Sequence, residues 1–280
     1  MARIAIIGIV GKSLFFDVER FHAGGETIQA KSCHEEWGGK GFNQSVAVAR
    51  QGAEAHFLGA CGFGEKELIA RAFADEDGLH LHLVEKKQGG TVAAIITDAV
   101  GETRVTCALG AALVADDVDA FADEIAAADM LVLGNEVPET VNLRASEIAE
   151  KCGTRMLMNP APARPLAPEI KRRVAIFTPN EFEEEELGGV SGEIVTTLGA
   201  KGCRIRSTGE TIPAAPCERV VDTTGAGDTF SGALAVRLAE GDGLPSACRF
   251  ASAAAAKCVS VRYVIPSIPK CGQTPSDKSL

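Results

Sequence analysis

Along the chain, short apolar runs rich in Ile and Val alternate with Ala-rich stretches whose hydrophobic positions recur at helical spacing. Residues 3–10, 55–60, 130–134, 154–159 and 174–178 are too short for ordinary helices and read as buried strands. Between most of them lie helical patterns over 44–51, 65–75, 118–128, 141–151 and 166–172. That alternation predicts an α/β protein with a mainly parallel sheet covered by helices on both faces. The last third changes rhythm, with two long Ala-rich helices expected over 226–240 and 245–258. Two stretches break the alternation: 14–37 and 91–107 look extended, carry turn signals at Gly24-Gly25 and Val100-Gly101, and have no helix following. They predict either a small antiparallel sheet projecting from the core or two hairpins lying flat on it. There is no internal repeat, and the polar tail 273–280 reads as disordered.

Composition sharpens this picture mainly by exclusion. A length of 280 residues with 46% hydrophobic and 24% charged residues suits one folded domain with an ample core. The net charge of −10 speaks against a nucleic-acid-binding surface or a polybasic membrane face. No apolar run approaches the roughly 18 residues that a membrane span needs, and the Gly-interrupted start reads as a first strand, not a signal peptide. The nine cysteines are scattered, with no CxxC and no Cys/His cluster at zinc spacing. Such usage fits reduced thiols and a cytoplasmic location. His80 and His82, two apart on a predicted strand, read as ordinary strand residues, with metal chelation the less economical alternative.

Four strings carry candidate chemistry. In Asp222-Thr223-Thr224-Gly225-Ala226-Gly227-Asp228-Thr229-Phe230 a glycine turn runs directly into a helix. Backbone N–H groups converge there at the positive end of the dipole and suit a phosphoryl anion. Asp228, in the first helical turn, is placed to accept a proton from an attacking hydroxyl. A bare Gly-x-Gly-Asp would be explained by dipole compensation alone, but the nine-residue string is more specific. Gly38-Gly39-Lys40-Gly41-Phe42-Asn43-Gln44-Ser45 also opens a helix; it lacks Walker spacing, and Lys40 and Asn43 suit a polyhydroxylated ligand. Thr178-Pro179-Asn180-Glu181-Phe182-Glu183 reads as a capping box, or as an organiser of a hydrated Mg²⁺ through Asn180 and Glu183. Thr197-Leu198-Gly199-Ala200-Lys201-Gly202 is a strand ending in a glycine turn, open to a nucleotide or simply a hairpin.

In this order, with Asn159-Pro160-Ala161-Pro162-Ala163-Arg164 between them, the strings resemble the ribokinase (PfkB) family of carbohydrate kinases, closest to its ribokinase branch. The resemblance implies one domain over 1–280: a three-layer α/β/α core, and a β-sheet lid over about 12–37 and 90–107 through which the family commonly dimerises. It implies phosphoryl transfer from ATP to a primary hydroxyl of a sugar. Asp228 would be the base and Gly225, Ala226 and Gly227 the anion hole. Gly39, Lys40, Asn43 and Glu136 would line the sugar pocket. Asn180, Thr197, Gly199, Gly202, Gly227 and Ser252 would meet ATP, with Glu183 acting through Mg²⁺. Asp222, the Thr224 carbonyl and Ser267 match positions that hold K⁺ in the family.

The chain departs from the family at several positions. An Asn and an Asp that grip sugar hydroxyls fall here on Gly11 and Ser13, so ribose is not the expected substrate. A lost charge-assisted hydrogen bond is worth about 1.5–3 kcal/mol. Tyr263 stands where a glycine usually follows the last core strand, Ser252 stands where a histidine is frequent, and the segment 187–196 is short, which predicts a more open nucleotide side. Trp37 could stack on a base or pack the hinge of the lid; the first would favour a nucleoside kinase of the pseudouridine type. A non-catalytic sensor of sugar or nucleotide is a further alternative. A dinucleotide-dependent oxidoreductase finds no support, since Gly-x-Gly-x-x-Gly is absent after the first strand.

Overall fold

Parallel strands covered on both faces need near-continuous apolar runs, and the chain supplies them at regular intervals. The computed structural model describes residues 1–274; of the tail expected to be disordered, 275–280 lie outside the described residues. The first half contains β1 (Arg3–Ile7), β2 (Gly11–Asp17), β3 (Ser32–Gly38), α1 (Lys40–Arg50), β4 (Glu54–Cys61), α2 (Lys66–Ala72) and β5 (Leu79–Glu85). There follow β6 (Thr91–Thr97), β7 (Thr103–Ala108), α3 (Ala115–Asp119), α4 (Ala122–Ala127), β8 (Met130–Gly134), α5 (Glu139–Cys152) and β9 (Arg155–Asn159). The remainder is α6 (Pro168–Arg173), β10 (Ile176–Phe177), α7 (Glu181–Glu185), β11 (Glu193–Thr197), β12 (Cys203–Ile205), β13 (Thr211–Ile212), α8 (Ala226–Ala239) and α9 (Leu244–Cys258).

Nine strands form one sheet in the order β13-β12-β11-β10-β9-β8-β1-β4-β5. From β11 to β5 every pairing is parallel, and β12 and β13 add an antiparallel edge. One core packs Ile4, Ile6, Ala55 and Phe57 of the sheet against α1, α2, α8 and α9. The other packs Ile7, Leu58, Leu131 and Leu133 against α3 to α6. The three-layer arrangement expected from the alternation is therefore present. One helical pattern is served by two pieces: at Phe121 the backbone leaves helical geometry (φ −105°, ψ 6°) and its N–H turns to Val118, so 118–128 is not one helix.

The two extended stretches form a separate sheet in the order β3-β2-β6-β7. It is not wholly antiparallel as expected, because β2 and β6 run parallel from Gly11↔Thr91 to Asp17↔Thr97. β1 and β5 run in the same direction in the core, and each is continued by a strand of the small sheet. Two antiparallel hairpins are thus joined through their first strands. The expected first strand over 3–10 is also divided. At Gly8 the chain passes so close to α1 that a Cβ would lie 2.6 Å from the Gly41 Cα, and β1 stops before it. Between buried Leu187 and β11 there is only a turn, as the short segment predicted. All nine cysteines are free thiols, and no helix among the described residues is long and apolar enough to cross a membrane.

Candidate active site

Asp228 lies in the first turn of α8, which begins at Gly225 in left-handed geometry (φ 80°). A side chain at Gly225 would meet Val264 at 2.5 Å as well as strain the backbone, so both constraints ask for glycine. The Ala226 N–H reaches the Thr223 carbonyl at 3.3 Å. Those of Gly225 and Gly227 have no protein acceptor among the described residues and are the donors this helix end offers to an anion.

Asp228 is 6% exposed. Its Oδ2 accepts from the Asn43 amide at 2.8 Å and its Oδ1 from the Gln44 amide at 3.3 Å. Burial raises its pKa, opposed first by the Lys40 ammonium and then by those two amides. Lys40 in turn is held above its ordinary value chiefly by Asp228, with Glu136 adding to it. Glu136 is pushed up to about 7, by burial first and by the Asp228 charge second. Its Oε2 accepts from the Gly41 N–H at 3.3 Å. One ammonium thus sits among carboxyl groups that burial drives toward protonation. A carboxyl with its pKa moved toward neutrality suits a general base.

α1 brings Lys40, Asn43 and Gln44 to this corner because Gly39 starts it at φ 128° with the backbone against the Ile9 carbonyl. Deeper along the two helices, Gly232 of α8 lies against Ala47 and the Gln44 carbonyl. The Oδ1 of Asn43 and the Oε1 of Gln44 are buried without a hydrogen-bond partner, which fits a hydroxylated ligand donating to them. The small sheet forms the adjoining wall. Ser13 pairs with Glu36 on that wall, and its Oγ lies with Asn43 Oδ1 around the space that a Cβ at Gly38 would fill. Gly11 offers no side chain and has no space for one, since a Cβ there would stand 2.3 Å from the Thr91 carbonyl oxygen. Trp37 lies on the opposite face of β3, with the Lys12 ammonium 5.5 Å from its ring. It packs against the core, the second of the two roles weighed for it.

A cleft of about 700 Å³ runs from Lys40 and Asp228 past Thr224, Gly225 and Gly227 to Asn180, Glu183, Thr197 and Gly199. Asn180 and Glu183 do form the capping box: Asn180 Oδ1 accepts from the Glu183 N–H at 2.8 Å and Glu183 Oε2 from the Asn180 N–H at 2.9 Å. Both still line the cleft. Two residues expected to meet ATP are not in its wall. Gly202 lies against β13, where a Cβ would be 2.0 Å from the Ile212 carbonyl oxygen. Ser252 is buried on α9 within hydrogen-bonding reach of the Cys203 thiol.

Asp222, Thr224 and Ser267 do come together, around Cys258. The Asp222 carboxylate accepts from the N–H groups of Thr224 (2.9 Å) and Tyr263 (3.1 Å). The Cys258 thiol lies 3.9 Å from the Thr224 carbonyl oxygen and 3.1 Å from Ser267 Oγ. Tyr263 adopts φ 67°, the left-handed geometry that glycine takes readily. It is held there by stacking on His34 at 3.8 Å and an edge contact with Phe15. Sequence reasoning missed Gln44, although it directly follows Asn43 in a string already singled out. It also missed a cavity of about 240 Å³ in whose wall Glu136 meets Ile9, Leu109, Val137, Pro138 and Arg164. These residues are far apart in sequence and share no periodicity.

Comparison with known proteins places the chain in a family. The family model described as pfkB family carbohydrate kinase matches residues 1–271. A ribokinase of Haemophilus influenzae is 32% identical, with 97% of this chain and 96% of that protein covered. Among solved structures, the ribokinase of Thermotoga maritima matches with a TM-score of 0.89 at 27% identity over the whole of both chains. The Arabidopsis thaliana ribokinase complexed with ribose and ATP matches with a TM-score of 0.84 at 29% identity, covering 100% of this chain and 97% of that one.

Proposed function

We infer the function from one premise: the chain belongs to the pfkB family of carbohydrate kinases. It is an ATP-dependent sugar kinase of the ribokinase type. We assign the phosphoryl-transfer centre to Asp228 and the start of α8. The observation that carries this is a buried carboxylate in the first turn of a helix whose free glycine N–H groups open on a long cleft. Asp228 takes the proton of the attacking primary hydroxyl, while Gly225 and Gly227 hold the charge that develops on the transferred group. The Lys40 ammonium favours the ionised form of Asp228 against the effect of burial. Asn43, Gln44 and Glu136 position the sugar, and Asn180, Thr197 and Gly199 the nucleotide. Most of the rate then comes from alignment and fixed electrostatics.

Oxygen donors in the wall of the cleft fit magnesium, and Glu183 would hold it through water. Bound there, it would offset charge on the phosphates. The potassium positions fit less well. Both Asp222 oxygens are already bonded to backbone N–H groups, and the Cys258 thiol stands between Thr224 and Ser267. No step is therefore routed through potassium. The small sheet acts as the lid and as the face of a homodimer, a reading supported by β7, whose residues are all exposed, Val105 by 63%. Nine free thiols and the absence of a membrane-length apolar helix among the described residues fit a cytoplasmic enzyme.

The substrate is a sugar other than ribose, because Gly11 and Ser13 present no carboxylate and the cavity beside Glu136 is mostly apolar. The test is ATP consumption across free sugars, sugar acids and nucleosides with Mg²⁺, with and without K⁺. Turnover of a free sugar other than ribose is expected. Best turnover with ribose would overturn the specificity reading, and ATP binding without turnover of any compound would replace the kinase by a sensor.

A further inference from the structure

The cleft lies at the carboxyl ends of the parallel strands; a second cluster of ligand-type side chains lies near their amino ends. β4 and β5 pair so that His56 stands opposite His80, with His82 two residues further along the same face. α4 lays Glu124 over them. We propose that His56, His82 and Glu124 form a binding site for a divalent transition metal ion of the zinc class, separate from the catalytic cleft.

The geometry is that of a ligand set drawn around one point. His56 Nδ1 is 3.2 Å from His82 Nε2 and 3.1 Å from Glu124 Oε2. Bonds of about 2.0 Å from a tetrahedral zinc ion put neighbouring ligand atoms roughly 3.3 Å apart. Two imidazoles and a carboxylate are donors that such an ion accepts, and a fourth position is left for water.

A purely hydrogen-bonded cluster accounts for the site less completely. His56 is 8% exposed, and its Nε2 is buried with no hydrogen-bond partner. A proton on Nδ1, shared between Glu124 and His82, leaves Nε2 a buried lone pair. A proton on Nε2 leaves Nδ1 facing the carboxylate with nothing between them. A metal ion on Nδ1 fills the space between Nδ1 and the carboxylate and keeps the proton on Nε2, whose facing carboxylate, Glu54 Oε2, stands 4.0 Å away. A carboxylate that closes on the far nitrogen of a metal-bound histidine orients the ring and raises its basicity. Arg3 bonds the same Glu124 Oε2 that faces His56, which fixes the carboxylate, while its charge lowers the affinity for a cation. His80 stacks on His56 with ring centroids 4.5 Å apart, so its nitrogens do not share the His56 plane and it is not a ligand. Bound metal would tie β4, β5 and α4 together.

The test uses the full chain, cleared of metals with a chelator and titrated with Co²⁺ and then Zn²⁺ in the presence of Mg²⁺. One Co²⁺ per chain is expected, with the visible bands of a four-coordinate nitrogen and oxygen site and no thiolate charge-transfer band. Zn²⁺ should displace it and raise the melting temperature. His82→Ala should lose the bands and the Zn²⁺-dependent rise. Glu124→Gln is the second variant, and unchanged sugar-kinase turnover would verify its fold. Glu54→Gln, acting through His56, should weaken binding by about 10- to 100-fold. Absence of stoichiometric Co²⁺ in the unmodified chain would overturn the proposal, as would bands that survive in both His82→Ala and Glu124→Gln. Because the readouts are metal content, spectrum and melting, failure of the kinase reading would leave this result intact.

Discussion

The two ends of the cleft are built on different principles. At the Asp228 end the groups are side chains, buried, charged and hydrogen-bonded to one another: Asp228 to Asn43 and Gln44, with Lys40 and Glu136 beside them. At the Asn180 end the wall is mostly turn and backbone: a capping box, the Thr197 strand end and Gly199 at φ 56°. The difference teaches where this protein stores its electrostatic work. Charges held in a desolvated corner act strongly on a developing charge and need no reorganisation, whereas a mobile, already solvated polyphosphate is adequately met by exposed backbone. Substitutions at the first end should therefore change rate and stability, and those at the second chiefly nucleotide affinity.

The largest effect is expected from Asp228→Asn, which keeps the shape of the corner and removes the carboxylate proposed as proton acceptor. Turnover should fall roughly 10²–10⁴-fold, the scale of a lost general base, with the KM for sugar changing far less. Steady-state kinetics with the best sugar decide this. Near-normal turnover would break the contrast between the two ends, and so would an equal loss of turnover on changing Thr197 to Ala.

Glu136→Gln sharpens the contrast by separating stability from binding. In the folded chain Glu136 is raised to about 7 from an ordinary 4.5, so the native state holds its proton more tightly than the unfolded chain does. Stability therefore declines as pH rises from about 4.5 to about 7, and above that the buried charge costs on the order of 3 kcal/mol. The glutamine variant lacks this charge. It should match the natural chain in urea melts near pH 4.5 and exceed it at pH 8, while its KM for sugar rises at both. Identical pH slopes in the two proteins would show that Glu136 is not a strained charge of the corner.

The corner was also the more legible part of the molecule, for a physical reason. Gly225 and Gly39 need left-handed or otherwise positive φ, and the helix start that each imposes fixes its neighbours within a few residues. A contiguous string therefore encodes its own local geometry, and Asp228, Lys40 and Asn43 stand where their strings put them. The alternation of apolar runs likewise marked the layers of the core, because burial on both faces keeps most positions of these strands apolar. What could not be read depends on encounters between distant segments. The parallel pairing of β2 with β6 follows from the directions of β1 and β5, and the break at Phe121 from tertiary packing. The approach of His56 to His82 and Glu124 joins elements far apart in the chain.

Ser252 is the smallest and most discriminating case at the nucleotide end. Carried over by position it belongs with ATP, yet its side chain is buried beside Cys203, and the cleft is lined by other residues. If contact with the cleft decides function, Ser252→Ala should leave the KM for ATP and the turnover unchanged. It should cost about 0.5–1.5 kcal/mol of stability, the worth of one internal hydrogen bond, and so lower the melting temperature by a few degrees. The opposite pattern, a raised KM for ATP at an unchanged melting temperature, would mean that α9 turns this residue toward the nucleotide during turnover. The open end of the cleft would then close on its ligand, and the contrast between a preorganised end and an exposed one would hold only before ATP is bound.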